Sequence, residues 1–455
     1  MTQLRDGRGK LHHRSGRSRS GRNQYLELLT TPGALAFSSA GFVGRMPMSM
    51  YGLGTVLLIA LLTGKYGQAG TVAAAGSVGY AVFSPFVAQQ ADRFGQRRVL
   101  LAQAGVFALG STVFIACAQW RAPFWALLVT GIASGASMPS LGSMVRSRWS
   151  ALVGDDARRL HTAFALESVN DEFIFVIGPA LVTLLATQLA PASGIGAACV
   201  ICVAGTALFA AQRRTEPAPK PRPARGSGGR APAPSATGGR AGADAAARGG
   251  PRLPAAGLAT LAPAFLLIGA MFSAIDLSTV AFASELGHRP VAGLILGTYA
   301  LGSAVGGLWY GSRHWRAPIA RRFAITAAIT VLGVSTFWAM PGLLALDAAG
   351  FAAGLAISPT LMTGYAILER QAPPHRRTEA LAWLGSTISV GVALGSALAG
   401  HIIDAHGARW SFAFAACCGA AGVLICIAGL AKLRTPEQDA LAQEWVPARE
   451  GGAAR

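Results

Sequence analysis

The segment AQQADRFGQRR, residues 88–98, is polar and charged and lies between two apolar stretches, residues 67–87 and 99–118. Each stretch has about twenty residues, which is the length that a helix needs to cross a hydrocarbon core about 30 Å thick. A polar segment this short can only join two neighbouring membrane helices. The fold therefore depends on how often the same pattern recurs along the chain.

The pattern recurs along nearly the whole sequence. The chain has 455 residues, of which 52% are hydrophobic and 13% charged, too few polar side chains to cover a soluble globule of this size. Continuous apolar runs, as opposed to alternating ones, predict helices and not a barrel. We predict an all-α integral membrane protein with twelve spans, at residues 33–62, 67–87, 99–118, 124–145, 162–186, 194–211, 256–282, 291–310, 322–340, 343–368, 379–403 and 410–433.

The positive charges alternate from loop to loop. The net charge is +19, but one set of loops holds only Lys65, Arg121, Arg289 and Arg409, whereas the other set, with the two tails and a central linker, holds nearly all remaining Lys and Arg. The positive-inside rule then predicts a multi-pass protein of the cell membrane with both termini in the cytoplasm. The basic residues are expected to meet anionic inner-leaflet lipids, not nucleic acid.

The sequence divides into two halves. Residues 213–256 contain no aromatic residue, Val or Ile, so we predict a flexible cytoplasmic linker between six-helix halves at 25–212 and 257–434. Residues 1–24 and 435–455 are expected to be cytoplasmic tails, the first of them basic and disordered. A shift of 217 residues aligns span 5 with span 11, for example Arg159 with Arg376 and Gly178 with Gly395.

Glycines and prolines mark expected kinks and close helix contacts. Small residues four apart let helices approach, and proline bends a helix. The sequence of span 4 from Gly131 to Pro139 has a counterpart in span 10, which supports the duplication. The residues concerned are Gly131, Gly135, Pro139, Gly178, Pro179, Gly350, Gly354, Pro359, Gly391 and Gly395.

The loop after span 2 and the two six-helix halves resemble the major facilitator superfamily (MFS) of transporters. The family pattern in this loop is Gly-x-Leu-Ala-Asp-Arg-x-Gly-Arg-Arg/Lys. This sequence keeps five of its residues, Ala91, Asp92, Arg93, Gly95 and Arg97, and departs from it at Ala88, Gln90 and Gln96. The resemblance covers about residues 25–433 and implies the MFS fold and a bacterial efflux-like transporter of drugs or metabolites.

The resemblance also implies roles for specific segments. The loop of Asp92, Arg93, Gly95, Arg97 and Arg98 would be a conformational gate that latches the halves on the cytoplasmic side, with Asp92 accepting hydrogen bonds at a helix N-terminus. The Gly178-Pro179 pair is similar to an antiporter motif of the family, although Ile174, Val182 and Thr183 replace its flanking glycines. The loop after span 8, residues 310–316, keeps glycine and basic residues but lacks the aspartate.

Charged residues inside the spans are the candidates for substrate binding and proton coupling. Each costs at least about 2.5–3.5 kcal/mol near a helix centre, so its presence needs a reason. The candidates are Arg45, Glu167, Asp171, Glu172 and Asp276. The span 11 counterparts of the three span 5 acids are Leu384, Ile388 and Ser389, which confines these acids to one half.

Two readings stay open for these charges. Arg45 can pair with Glu167 or Glu172 at similar depth, and such a pair could serve coupling or simply pin two helices. Asp276 has no evident partner in its own helix. It is a candidate proton carrier or counter-charge for a cationic substrate, the alternative being a hydrogen bond to Ser273 or to a neighbouring helix.

The sequence predicts secondary active transport by alternating access. It has no nucleotide-binding motif and no cluster of catalytic residues, so we expect no enzyme activity, no metal or other cofactor, and an ion gradient, that of protons, as the energy source. His401, Asp404 and His406 are expected to be ordinary polar residues of a helix end, and the six cysteines to be small core residues. We expect a monomer that exports small amphipathic molecules; the alternative is import of a sugar, amino acid or carboxylate.

Overall fold

The computed structural model describes residues 26–154, 156–218, 255–313, 315, 317–372 and 377–429. The two expected tails, and residues 219–254 of the expected linker, lie outside the described residues. Throughout the described part the secondary structure is helical.

The twelve predicted spans are present in the described part of the chain. Each is long and apolar enough to cross a membrane, which confirms the all-α membrane fold class. In chain order, spans 1–12 are Ala34–Thr63, Tyr66–Phe94, Gln96–Gln119, Phe124–Val153, Thr162–Gln188, Ser193–Ala211, Gly257–Glu285, Val291–Gly311, Ile319–Ala339, Leu343–Gln371, Trp383–His406 and Ala408–Ala428.

The charged segment after span 2 is shorter than the sequence suggested. Span 2 continues as a helix through Phe94, and span 3 begins at Gln96. Polar residues such as Gln and Arg are good helix formers once the chain has left the apolar layer, so the helix extends beyond the hydrophobic run. Gly95 alone forms the break, with φ of 91°, a conformation that glycine adopts without steric cost.

Three spans are interrupted within the bundle. Span 1 breaks at Met46, directly before Pro47, and span 4 breaks between Ser137 and Leu141, around Pro139. Span 10 breaks after Gly354 and resumes at Ile357. In contrast, the helices that contain Pro179 and Pro263 continue through them.

The helix packing repeats between the halves. In the first half, span 2 packs on span 4, and span 6 packs on spans 1 and 3. In the second half, span 8 packs on span 10, and span 12 packs on spans 7 and 9, which is the same arrangement six spans later. Between the halves, span 2 packs on span 11 and span 5 packs on span 8. These two contacts are equivalent, because spans 2 and 5 of the first half correspond to spans 8 and 11 of the second. The structure is therefore two similar six-helix units facing each other.

Glycines make the closest helix contacts. A side chain on Gly135 of span 4 would collide with the backbone of Gly76 in span 2, and one on Gly354 of span 10 with the backbone of span 8. Gly131 faces Val72 of span 2, and Gly350 faces Tyr299 of span 8. Gly178 lies against Ser49 of span 1, whereas Gly391 and Gly395 lie against the backbone of span 7.

The bundle has two distinguishable ends. We call the end that carries Arg93, Arg97, Arg313 and Arg322 the basic end, and the end that carries Lys65 and Asp404 the opposite end. At the opposite end the halves are joined by the Asp404 carboxylate of span 11, which accepts hydrogen bonds from the amides of Tyr66 and Gly67, both at 2.7 Å. In the described part of the chain, no hydrogen bond joins the halves at the basic end.

Candidate functional site

Arg45 lies in a buried ion cluster within the first half. Its side chain is 1% exposed, and it contacts the carboxylates of Glu167 and Asp171 in span 5. The bond to Asp171 is 2.7 Å long, and Nε donates to the Gly41 carbonyl at 3.1 Å. Of the two predicted partners of Arg45, the structure brings Glu167 to it and places Glu172 elsewhere.

Both carboxylates of this cluster have several donors. Glu167 is 0% exposed and accepts hydrogen bonds from Ser38 and from the Trp149 indole, each at 2.7 Å. Asp171 forms a second ion pair with Arg146 of span 4, at 2.9 Å. Two arginines therefore face two acids, and the cluster is balanced in charge and hydrogen-bonded, as a buried ion group needs to be. It ties together spans 1, 4 and 5.

Glu172 lies on another side of span 5, where the halves meet. Its carboxylate accepts a hydrogen bond from Ser358 of span 10 at 3.0 Å, the one such bond between the halves at mid-span in the described chain. Ser358 and Ser303 of span 8 are hydrogen-bonded at 2.8 Å. Among the described residues, no cation pairs with Glu172 to balance its charge.

Asp276 is also unbalanced. It is partly exposed, and within the described residues no hydrogen bond or ion pair reaches its carboxylate. The expected alternative partner, Ser273, donates instead to the Ala270 carbonyl at 3.3 Å. The buried Tyr299 of span 8 lies within the range of electrostatic interaction with Asp276, and among the described residues the Tyr299 hydroxyl has no hydrogen-bond partner.

Span 8 brings these two acids into one region. Tyr299 is within electrostatic range of Asp276, and Ser303 is bonded through Ser358 to Glu172. These two span 8 residues are four apart and so lie on one face of the helix, one turn from each other. An acid from each half therefore reaches the same side of span 8 near mid-span. We call Glu172, Asp276, Tyr299, Ser303 and Ser358 the span 8 acid site.

Most of the expected gate loop is exposed to solvent at the basic end. Asp92, Arg93 and Arg98 are exposed, and the Asp92 carboxylate has no partner in the described part of the chain. The amide of Arg97, in the first turn of span 3, donates to Glu216 at 2.9 Å. The residue that caps this helix is thus Glu216, which follows span 6, and not Asp92.

A buried arginine anchors the chain beyond span 6. Arg148 of span 4 is 0% exposed. Its guanidinium donates to the carbonyls of Phe209 and Gln212 and to Thr215, each at 3.1 Å, and to Gln96 at 2.9 Å. The residues that lead into the expected linker are therefore fixed against the start of span 3.

Sequence reasoning missed several residues of these groups. Arg146, Arg148 and Trp149 lie in the part of span 4 beyond the predicted boundary at residue 145, so they were counted as loop residues. Tyr299, Ser303 and Ser358 have ordinary side chains for a membrane helix and gave no signal. Asp347 did give a signal, because it is a carboxyl group in an apolar stretch. Its Oδ1 is buried and has no hydrogen-bond partner within the described part of the chain.

A family model of the Major Facilitator Superfamily matches residues 37–307 and 261–452 of this chain. The chain belongs to the Major Facilitator Superfamily. It is a membrane transport protein and not an enzyme. Among curated proteins, no match is found.

Solved structures of MFS-like transporters share the fold. A peptide transporter of the POT family in complex with sulfate is 14% identical with a TM-score of 0.63, over 92% of this chain and 100% of that one. A bacterial homologue of the iron transporter ferroportin, in an inward-facing state, is 12% identical with a TM-score of 0.62, over 87% and 99%. The nucleoside transporter NupG is 14% identical with a TM-score of 0.58, over 88% and 99%.

Proposed function

We propose that this MFS protein is a proton-coupled exporter of small amphipathic cations. The observation that carries the proposal is the pair of uncompensated carboxyl groups, Glu172 and Asp276, that reach one face of span 8 from the two halves. Intramembrane acids without a basic partner are costly and mark ion or substrate pathways. No arginine or lysine of the described chain is paired with either acid.

The chemistry of this site favours cations over anions. Arg45, the basic residue with which an anionic substrate could pair, is neutralised by Glu167 and Asp171. A carboxylate at the meeting surface of the halves can hold either a proton or a cationic group, and exchange of one for the other couples their movements. The Arg45 cluster is assigned to holding spans 1, 4 and 5 together.

The end at which the two halves are bonded supports export as the direction of transport. The halves are bonded at the opposite end through Asp404, and among the described residues no such bond is found at the basic end. The positive-inside rule places the basic end in the cytoplasm. Export requires the span 8 acid site to take up its substrate from the cytoplasm, and the lack of a described bond between the halves at the basic end is consistent with that access. The ferroportin homologue of similar fold is also described in an inward-facing state.

The test is accumulation of cationic dyes in cells that lack their own efflux systems, with and without a protonophore. Cells that express this protein should accumulate less dye, and the protonophore should abolish the difference. Asp276→Asn should remove export of every dye, and Glu172→Gln should reduce it, because each loses an exchangeable charge. Purified protein in liposomes with an internal pH indicator should release protons against dye only when Asp276 is present.

The matched control is Glu369→Gln. It removes one carboxylate, like the test variants, but from an exposed position at the end of span 10, so export should be unchanged. Asp276→Asn protein that exports dyes as the original does would remove Asp276 from the mechanism. Uptake of a sugar, amino acid or carboxylate without export of any dye would replace export by import.

A further inference from the structure

An aromatic and arginine cluster lies at the basic end, where span 8 turns towards span 9. Trp315 stacks on Tyr310, with ring centroids 4.8 Å apart, and meets Trp309 edge-on at 5.6 Å. Its indole donates to the Tyr310 carbonyl at 2.9 Å. We call Trp309, Tyr310, Arg313, Trp315 and Arg322 the 8–9 cluster.

Two arginines of the cluster are held over its rings. The guanidinium of Arg313 lies 5.0 Å from the Trp309 ring centre, and that of Arg322 lies 5.6 Å from the Tyr310 ring centre. Arg322 also donates to the Tyr310 hydroxyl at 2.7 Å, whereas its Nε has no hydrogen-bond partner. Ring contacts fix where these cations lie but leave their charge in place.

The positive charge of the cluster has no acidic partner within the described residues. The ion pairs found there all belong to the Arg45 cluster. The equivalent loop after span 2 contains Asp92, but the loop after span 8 has lost that aspartate. Within the described part of the chain, Arg313 and Arg322, with the neighbouring exposed Arg321, are therefore available to bind an anion.

The cluster also lies at the depth of a lipid headgroup. Trp309 and Tyr310 are among the last residues of span 8, and tryptophan and tyrosine at span ends lie at the membrane interface. Trp309 is 50% exposed and Trp315 is 37% exposed, so the cluster offers apolar surface beside its charges. A free anion would use the arginines alone, whereas a lipid uses both.

We propose that the 8–9 cluster is a binding site for the phosphate of an anionic phospholipid in the leaflet at the basic end. The arginine guanidinium groups bind the phosphate oxygens, for which their planar donor geometry is suited. The first part of the acyl chains lies along Trp309. This lipid site does not involve the transported substrate, so the proposal can be tested independently of the proposed export.

The test is native mass spectrometry of the full-length protein in detergent, titrated with phosphatidylglycerol or phosphatidylcholine. The original protein should bind one phosphatidylglycerol in preference to phosphatidylcholine. Each arginine near the membrane surface contributes roughly fivefold to the affinity for an anionic lipid. Arg313→Gln should therefore weaken phosphatidylglycerol binding about fivefold and Arg313→Gln/Arg322→Gln about 25-fold, with phosphatidylcholine unaffected.

The matched control is Arg213→Gln/Arg214→Gln. It removes two arginines that are exposed near the same end but contact no ring in the described chain, so the preference should persist. The Arg313 side chain is exposed and makes no described hydrogen bond, so its single variant stays decisive if the double variant does not fold. Equal binding of the two lipids by the original protein would overturn the proposal, as would an equal loss in the control.

Inorganic phosphate distinguishes the two sources of the anion. At millimolar concentration it should not displace phosphatidylglycerol, because it lacks the apolar part that contacts Trp309. Displacement at that concentration would assign the cluster to a soluble phosphate compound in place of a lipid.

Discussion

Arg45 and Asp276 are both charged residues within membrane spans, but their surroundings in the structure are opposite in kind. Arg45 donates to two acids and to the Gly41 carbonyl, and with Arg146 the cluster has no net charge. Asp276 is given no partner in the described chain and keeps partial access. A balanced group stabilises a fixed arrangement, whereas an unbalanced one is available to bind. The difference between them, and not the mere presence of charge, separates the structural group from the proposed transport group.

Removing the Arg45 side chain should destabilise the first half. Arg45→Ala leaves Glu167 buried without its cation, and breaking a buried ion pair from one side costs about 3–5 kcal/mol. Thermal unfolding in detergent, followed by a thiol-reactive dye that labels the buried Cys202 and Cys426 as they become exposed, should show a clear fall in the melting temperature.

Second-site variants make this prediction specific. Glu167→Gln added to Arg45→Ala should restore part of the lost stability, because the uncompensated charge is gone. Glu172→Gln added to Arg45→Ala should restore none, because Glu172 bonds to Ser358 and not to Arg45. Equal recovery in both double variants would contradict the arrangement of the cluster.

The sequence predicted the charged residues but only part of their surroundings. Arg45, Glu167, Asp171, Glu172 and Asp276 are conspicuous because charge is rare in apolar runs. Which acid meets Arg45 depends on the rotation of span 5 about its axis, since Asp171 and Glu172 differ by about 100°. That rotation is set by packing against spans 1, 4 and 8. It cannot be read from spacing within one helix.

Helix ends in this protein are capped by acids from other elements. Asp404 caps span 2 across the two halves, and Glu285 caps span 12 within the second half, accepting the Ala408 amide at 2.9 Å. A carboxylate at a helix N-terminus satisfies free amides and the positive end of the helix dipole. Only the first of these caps changes when the halves separate, so Asp404 links a local hydrogen bond to the conformation of the protein.

Asp404→Ala should shift the protein towards a state open at the opposite end. A lost cap costs about 1 kcal/mol, which is roughly a fivefold change in the ratio of the two states. Spin labels at Trp120→Cys and Leu344→Cys, on different halves and 83% and 85% exposed, measure the separation of that end in a background without native cysteines. The longer distance should gain population.

Glu285→Ala is the matched control for this measurement. It weakens a cap of the same kind, but one within a single half, so the distance distribution should stay as it was. A shift of the same size in both variants would mean that Asp404 acts only on local stability.

The contact between spans 2 and 4 depends on glycine. A Cβ on Gly135 would meet the backbone of Gly76, which cannot move aside as a side chain can. Gly135→Ala should therefore cost about 1–3 kcal/mol, as overpacking usually does. Gly196→Ala in span 6 meets nothing within 4 Å and should be neutral or stabilising. The melting temperatures of the two variants test this, and a tolerated Gly135→Ala would refute the close contact.

The fold of the whole molecule was the easiest property to predict, because it follows from span length, charge alternation and the internal repeat. These signals are distributed over many residues, so an error at any one boundary changes little. The contact that holds the halves together at the opposite end could not be predicted in this way. It rests on a few bonds such as those of Tyr66 and Gly67 to Asp404, which involve backbone amides and are invisible in a sequence pattern.

Alternating access requires the opposite end to open and close in every cycle. Lys65 and Glu285 lie on different halves and line one cavity of about 450 Å³ there, together with Asp404. Joining Lys65→Cys and Glu285→Cys with a short reducible bis-maleimide, in a background without native cysteines, should hold this end closed and stop dye export. Cleavage of the linker by a reductant should restore it.

A second pair separates closure from chemical damage. Glu285→Cys joined to Arg409→Cys links span 7 to span 12 within one half, and Ala408 beside it is already bonded to Glu285. This cross-link shares the Glu285 substitution and the reagent but leaves the two halves free to move, so export should continue. If the link between halves also left export intact, the opposite end would not have to open for transport, and rocking of the halves about the span 8 acid site would be excluded.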